Sequence, residues 1–153
     1  MIIYLGIGSN LGNRDKNIRQ ALDLLDRLVG EQLACSSIYR SEPLGFVSDN
    51  EFANIVAVYD TNDYSLTELL HITQQIELEM GRTQKSINGI YYDRVIDIDL
   101  LLAYQNINEE QSLINCQLPD LQLPHPRMQE RDFVMVPLNE VKDKMQKKIH
   151  VNL

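Results

Sequence analysis

The stretch Val95-Ile96-Asp97-Ile98-Asp99-Leu100-Leu101 alternates two aspartates with branched apolar residues. Alternate side chains of a β-strand lie on the same face, so Asp97 and Asp99 share one face with Cα atoms about 7 Å apart. The isoleucines between them fall on the other face and can be buried against helices. The stretch therefore predicts a strand over 95–103 with one apolar face and one face that carries two carboxylates.

The segments before this strand alternate between strand and helix patterns. Residues 2–8 predict a buried strand, and a helix should follow because apolar residues recur there every three or four positions, at Ile18, Leu22, Leu25 and Val29. We expect Gly30 to end that helix in a left-handed conformation. Two further strands are predicted over 33–39 and 54–59, where β-branched and aromatic residues are frequent, with a polar loop at 40–53 between them.

A second helix has clear boundary signals. Ser65 and Glu68 have the spacing of a capping box, and Gly81 is placed to end the helix. With the strand over 95–103 the order becomes β-α-β-β-α-β. It predicts an α+β fold, a ferredoxin-like sandwich whose antiparallel sheet carries both helices on one face. From residue 104 onward we expect a loop-rich C-terminal extension, with a hairpin near Ile107 and Leu118 and a helical turn or two after Pro126.

Length and charge limit the possible functions. The chain has 153 residues, which suits one domain over 1–153. Its 14 basic and 22 acidic residues give a net charge of −8, which argues against nucleic acid or an anionic membrane as a partner. Cys35 and Cys116 have no spacing typical of a zinc site or a disulfide framework. The N-terminus lacks a signal-peptide pattern, and no apolar run reaches the ~18 residues of a membrane span. We expect a monomer in the cytoplasm.

The paired aspartates are candidates for a metal site. Two carboxylates side by side repel each other unless a cation lies between them. Oxygen ligands on a rigid strand suit Mg²⁺, which keeps some of its waters and takes phosphate oxygens as further ligands. The alternative is that Asp97 and Asp99 form a solvated edge of the sheet.

Several cations flank the acidic strand in the sequence. Arg82 follows the second helix, Arg94 precedes Asp97, and His125, between two prolines, leads to Arg131. An arginine offers a fixed fork of donors suited to phosphate oxygens, so together these residues could bind a triphosphate. Singly, each arginine could equally be a surface residue. Gln74 and Glu77 share a face of the second helix, which could face ligand or only solvent.

The same segments resemble a known family. The similarity is collinear from Tyr4 to Val141 and runs through GSNL at 8–11, YRSEPLG at 39–45, FAN at 52–54, QQIELEMGR at 74–82, DRVIDIDLL at 93–101, PHPRM at 124–128 and RDF at 131–133. In these motifs the chain is similar to the 6-hydroxymethyl-7,8-dihydropterin pyrophosphokinases of folate synthesis. The resemblance implies a ferredoxin-like fold and transfer of the terminal pyrophosphoryl group of ATP to the pterin hydroxymethyl oxygen, with release of AMP.

The resemblance also implies roles for individual residues. Asp97 and Asp99 would hold two Mg²⁺ ions, and with Arg82 and Arg94 they would form the catalytic set. The ATP-side positions would be Gln74, Glu77, Arg82, Arg94, His125 and Arg131. Phe52 and Phe133 would sandwich the pterin, a contact worth about 0.5–1.5 kcal/mol per aromatic pair beyond area burial. Asn54, Asp97, and groups around Ser41, Pro43 and Leu44 would complete its hydrogen bonds.

The chain departs from the family pattern in one loop. Many members carry a tryptophan and Gly-Pro before the arginine that matches Arg94, where this chain has Tyr91-Tyr92-Asp93. Gln84 stands where a second arginine is common. Two other functions stay open at this point. One is a non-catalytic ferredoxin-like module that binds a small ligand, and the other is an ATP-dependent kinase of another small alcohol, which would release ADP instead of AMP.

Overall fold

The computed structural model describes residues 1–42, 50–61, 63–81 and 93–151. Its elements in chain order are β1 (Ile2–Ser9), α1 (Arg14–Leu28), β2 (Gly30–Cys35), β3 (Tyr39–Ser41), β4 (Phe52–Thr61), α2 (Leu66–Glu79), β5 (Asp97–Ile107), β6 (Glu110–Leu113), β7 (Cys116–Leu118), β8 (Leu121–Leu123), a 3₁₀ turn (Met128–Glu130) and α3 (Asp132–Val151).

The main sheet has the strand order β2-β4-β1-β5-β6, and β3 also pairs with β4. Every pairing is antiparallel, and β1 lies in the middle between β4 and β5. Taken over β1, β2, β4 and β5 with their two helices, this is the βαββαβ arrangement of a ferredoxin-like sandwich, so the predicted fold is confirmed.

The alternation along β1 divides the side chains between two cores. Ile3, Leu5 and Ile7 belong to a cluster that also contains buried residues of α1 and α2. Tyr4 belongs to a second cluster on the other face, which includes Leu138 of α3. The sheet is therefore covered on both faces, although only the first face was expected to carry helices.

The third helix corrects the prediction for the C-terminal extension. We expected a helical turn or two after Pro126, but α3 runs from Asp132 to Val151 and buries Val134, Leu138 and Val141. These three buried residues are spaced four and three positions apart, as in an amphipathic helix. Pro137 inside the helix and the lysines beyond it obscure this pattern in the sequence. Lys144 donates to the Cys35 carbonyl at 2.6 Å, and Lys148 donates to the Leu33 carbonyl, so these lysines bond to β2.

Other boundaries also differ from the prediction. The strand expected over 33–39 is two strands, because β2 ends at Cys35 and β3 begins at Tyr39. The predicted hairpin is present as two hairpins, β5-β6 and β7-β8. The capping box of Ser65 and Glu68 is confirmed. In the described part of the chain, no helix combines the length and apolar character needed to cross a membrane.

Gly30 has a different role from the one expected. It does not cap α1, whose C-cap is Val29, but is the first residue of β2 and pairs with Thr61. A Cβ atom built on Gly30 would lie 2.1 Å from the backbone oxygen of Asp60. Any side chain here would push β2 away from β4.

We therefore predict that Gly30→Ala lowers the free energy of unfolding by about 1–3 kcal/mol, as overpacking does elsewhere. Denaturant titration would measure this loss. Gly12→Asn is the matched control, because Gly12 has φ +68°, a conformation asparagine tolerates, and a Cβ there would have its nearest neighbour at 3.9 Å. Equal stability of Gly30→Ala and the wild type would contradict the steric argument.

Candidate active site

A cavity of about 250 Å³ opens on the face of the sheet that also carries α3. Its floor is made by β1, where Gly8 pairs with Asn54 on one side and Asp97 on the other. Gly6 pairs in the same way with Val56 and Asp99. A Cβ atom at Gly8 would lie 3.1 Å from Asn54 Oδ1. The two glycines thus create a trough between β4 and β5, and a side chain on either would fill it.

Asp97 and Asp99 both line this cavity, while Ile96, Ile98 and Leu100 are buried in the core beneath α1 and α2. The structure thus brings the two carboxylates to one face, as the alternation in the sequence predicts. Burial, the Asp97 charge and the Glu77 charge raise the pKa of Asp99 to about 8, although Arg131 and Arg94 act in the opposite direction. The negative charges of these carboxylates are therefore only partly balanced by the nearby arginines.

Glu77 approaches the acidic strand from the α2 side. Only 4% of its surface is exposed, and its Oε2 accepts a hydrogen bond from the Ile98 backbone N–H at 3.4 Å. The simple alternative of a solvated polar stripe is therefore wrong for Glu77. Gln74, on the same helix, is half-buried and does not line the cavity.

Arg94 is held on two sides at the edge of the cavity. Its Nη1 lies 3.2 Å from Asp97 Oδ2, and both side chains are largely buried, with 10% and 23% of their surfaces exposed. Its guanidinium carbon also lies 5.8 Å from the centre of the Phe52 ring. A cation over an aromatic face at this distance is attracted by the ring quadrupole. These two contacts fix the orientation of Arg94 toward the carboxylates.

A second arginine–aromatic pair stands at the start of α3. The guanidinium carbon of Arg131 lies 5.6 Å from the centre of the Phe133 ring, and both residues line the cavity. Phe52 and Phe133 are half-buried, so ring surface of each stays accessible to a ligand. Arg127 also lines the cavity. Three arginines therefore surround a space that two aspartates enter from the floor.

His125 lies close enough to Arg127, Arg131 and Asp97 for their charges to affect its pKa. Burial, the Arg131 charge and the Arg127 charge lower the pKa of His125, against an opposing effect of Asp97. The Arg127 backbone N–H donates to His125 Nδ1 at 3.2 Å. A neutral ring that accepts at Nδ1 carries its proton on Nε2, so Nε2–H is available as a donor to an anionic ligand.

Asn54 and Ser41 form the polar end of the cavity. Asn54 Nδ2 donates to Ser41 Oγ at 2.9 Å and to the Tyr39 carbonyl at 3.2 Å. These bonds orient the amide, whose Oδ1 is directed toward Gly8. Both residues line the same cavity as the aspartates.

Three residues predicted for the site, Arg82, Pro43 and Leu44, lie outside the described residues, as do Gln84, Tyr91 and Tyr92. Sequence reasoning assigned no role to Gly6 or to Asn10, although Asn10 belongs to the quoted GSNL motif. It also assigned no role to Asp93. In the described part of the chain, no three His, Cys, Asp or Glu side chains are grouped as a complete metal cage.

Comparison with known proteins gives consistent matches. A family model described as 7,8-dihydro-6-hydroxymethylpterin-pyrophosphokinase (HPPK) matches residues 4–143. A 2-amino-4-hydroxy-6-hydroxymethyldihydropteridine pyrophosphokinase of Porphyromonas gingivalis is 46% identical over 92% of this chain and 90% of its own length. The enzyme of that name from Bacillus subtilis is 38% identical over 95% and 81%. A crystal structure of an HPPK-DHPS in complex with substrates has a TM-score of 0.62 at 14% identity, over 92% of this chain and 40% of that one, which shows the shared fold.

The electrostatics of the site predict a pH effect on the stability of the metal-free protein. The pKa of Asp99 is raised on folding from 3.8 to about 8, so between these values the folded state retains a proton that the unfolded state loses. Stability should therefore fall as pH rises through this range. Asp99→Asn should flatten that fall and raise the melting temperature near pH 8.

Melting curves from pH 5 to pH 8.5 in EDTA would test this prediction. The exposed Asp23 provides a matched control, since Asp23→Asn removes a charge from the surface of α1. An Asp99→Asn profile parallel to that of the wild type would contradict the assignment of the raised pKa.

Proposed function

We propose a division of labour at the active site of this chain, which belongs to the 7,8-dihydro-6-hydroxymethylpterin-pyrophosphokinase family. The chain transfers a pyrophosphoryl group from ATP to hydroxymethyldihydropterin in folate biosynthesis. Membership in this family decides against a non-catalytic module or a kinase of another alcohol. What remains to be assigned is which residues hold each substrate and which act on the reacting atoms.

The observation that carries the assignment is the convergence of two aspartates and two arginine–aromatic pairs on one cavity. The transferred group contains the β- and γ-phosphates. The pterin oxygen must therefore form a bond to the β-phosphorus, while the bond from that phosphorus to the oxygen shared with the α-phosphate breaks. AMP leaves with the electron pair of that bond. Such a reaction needs positioning and neutralisation of charge more than covalent help from the protein.

Asp97 and Asp99 are the proposed ligands of two Mg²⁺ ions. Their fit rests on the donor set, since carboxylate oxygens are hard ligands and two of them leave room for phosphate oxygens and water. The partly unbalanced negative charge around Asp99 favours a cation at this place. When bound, Mg²⁺ would neutralise phosphate charge and orient the polyphosphate. Asp97 is in addition proposed to orient the attacking hydroxyl.

Arg94 and Arg131, which line the same cavity as the aspartates, are proposed to bind the phosphates. Both guanidinium groups are already oriented by an aromatic ring, so little side-chain freedom is lost when the substrate binds. Arg94, which pairs with Asp97, would stabilise charge that develops as the bridging bond breaks. His125 would donate its Nε2–H to a phosphate oxygen without adding a full charge.

The remaining ATP-side assignments rest more on the resemblance. Gln74 is half-buried on α2, and Glu77 would act from beneath β5, where it bonds to the Ile98 backbone. Arg82 is proposed as a further phosphate ligand and catalytic residue on the sequence match alone. We further propose that the chain acts in the cytoplasm, as a monomer with one domain over 1–153.

The pterin is proposed to lie between Phe52 and Phe133. A flat heterocycle is held well between two aromatic faces, and Asn54, whose amide nitrogen already donates to Ser41 and Tyr39, can accept from its polar edge through Oδ1. Ser41 orients Asn54 through the 2.9 Å hydrogen bond. Pro43 and Leu44 are proposed to complete this end of the site.

Removing either metal ligand should nearly abolish the reaction. We predict that Asp97→Ala and Asp99→Ala lose roughly a hundred- to ten-thousand-fold in kcat, because several kcal/mol of charge stabilisation is lost. AMP formation from ATP with 6-hydroxymethyl-7,8-dihydropterin, measured across a Mg²⁺ titration, would show this. Asp23→Ala, on the exposed face of α1, is the control for loss of one negative charge. Near-normal turnover by a folded aspartate variant would eliminate the metal-site proposal.

The aromatic pair should affect pterin binding more than ATP binding. We predict that Phe52→Ala and Phe133→Ala raise the dissociation constant for the pterin roughly ten- to hundredfold and change that for ATP much less. Phenylalanine-to-tyrosine variants at the same positions keep the ring and serve as controls. Calorimetric titration beside melting curves separates binding from packing. Unchanged pterin affinity with a lowered melting temperature would make these rings core residues.

A further inference from the structure

Three separate parts of the chain meet beside the site at the carboxylate of Asp93. Asn10 Nδ2 donates to Asp93 Oδ1 at 2.7 Å, and Asn50 Nδ2 donates to Asp93 Oδ2 at 3.3 Å. Each oxygen of the carboxylate therefore has its own amide donor. Asn10 follows β1, Asn50 precedes β4, and Asp93 precedes Arg94, so the carboxylate joins three separate parts of the chain.

Asn10 also holds the backbone of Arg94. The Arg94 backbone N–H donates to Asn10 Oδ1 at 2.7 Å, and the Asn10 backbone N–H donates to the Arg94 carbonyl at 3.1 Å. Only one orientation of the amide fits both neighbours, since its oxygen must face an N–H and its nitrogen must face a carboxylate. Asn10 is 1% exposed, so water cannot readily replace these bonds.

The contacts continue from this network to the reacting groups. Next to the Asn50–Asp93 bond, Phe52 and Arg94 form the cation–π pair, and Arg94 then reaches Asp97 at 3.2 Å. The segment around Asn50 is itself tied to α1, because Arg14 donates to the Glu51 carbonyl at 2.6 Å. Asp93 thus has one partner fixed at the end of β1 and another fixed beside the aromatic wall of the cavity.

We propose that Asn10, with Asp93 and Asn50, forms a positioning network that sets the place of Arg94 relative to Asp97 and Phe52. The proposal rests on the catalytic role assigned to Arg94 above. Because Arg94 acts on charge that develops during transfer, disturbing the network should lower kcat more than it weakens ground-state binding of ATP. A displacement of about 1 Å in a catalytic group can cost about a hundredfold in rate.

The amide and carboxylate can be exchanged to test this. In Asn10→Asp, one oxygen still accepts from the Arg94 N–H, but the other faces the Asp93 carboxylate. The second change, Asp93→Asn, would restore the pattern, since the new amide nitrogen can donate to the carboxylate introduced by the first change while its oxygen accepts from Asn50. Asp93→Asn alone leaves two amide donors facing one carbonyl oxygen, so it should have an intermediate effect.

We expect Asn10→Asp to lower kcat about ten- to hundredfold with less than about a threefold change in the ATP dissociation constant. The double variant should recover most of the lost rate. Asn13→Asp is the matched control for the added charge, because Asn13 is exposed and caps α1 through its side-chain oxygen, which aspartate also supplies. A purely structural role would lower the melting temperature of Asn10→Asp and leave kcat unchanged at temperatures where it is folded.

Two outcomes would overturn the network. One is an Asn10→Asp enzyme with kcat within about twofold of the control, and the other is a double variant no faster than Asn10→Asp. If Asn10→Asp does not fold, Asn50→Asp with and without Asp93→Asn gives the same comparison at a less buried position. Arg94→Ala distinguishes failure of the network from failure of the role assigned to Arg94. If it keeps its kcat, the assigned role of Arg94 fails and the network with it, whereas if it alone loses kcat, only the network fails.

Discussion

The repulsion between two carboxylates on one strand is the constraint on which the site depends. Asp97 and Asp99 cannot separate, because alternate residues of β5 are held on one face by its pairing with β1 and by the buried isoleucines between them. Burial, together with the charges of Asp97 and Glu77, raises the pKa of Asp99. Arg94 relieves part of the repulsion between the carboxylates by pairing with Asp97. The fold supplies the rigidity that keeps the two carboxylates together on one face of β5.

The same sheet separates stability from function. On one face Ile3, Leu5 and Ile7 pack under α1 and α2. On the other, Tyr4 begins a similar core against α3, but Gly6 and Gly8 interrupt it. The glycines leave the trough open at the end of β1 where Asp97 and Asn54 flank it. A single strand is thus a core strand for most of its length and the floor of a binding site at its end.

Periodicity in the sequence predicts the parts of the fold that one pattern determines. The aspartate alternation places Asp97 and Asp99 on one face, and the capping box places the start of α2. It fails where two signals conflict, as in α3, where Pro137 argues against a helix that packing onto the sheet nevertheless stabilises. The prediction that Gly30 caps α1 is also wrong. A glycine that is required by the close approach of a neighbouring strand cannot be told from a helix-ending glycine by its residue type. No period in the sequence reveals contacts between distant residues, above all the hydrogen bond of Asn10 with Asp93, which are 83 positions apart.

The distribution of charge explains how an acidic chain can bind a polyphosphate. With a net charge of −8, the protein as a whole repels ATP, so attraction must be local. Arg94, Arg127 and Arg131 converge on one cavity, and two of them lie against aromatic rings that orient them without neutralising them. The carboxylate of Asp97 offsets part of this attraction, because it is paired with Arg94 at 3.2 Å. The Mg²⁺ ions proposed for Asp97 and Asp99 would complement these arginines in holding the polyphosphate.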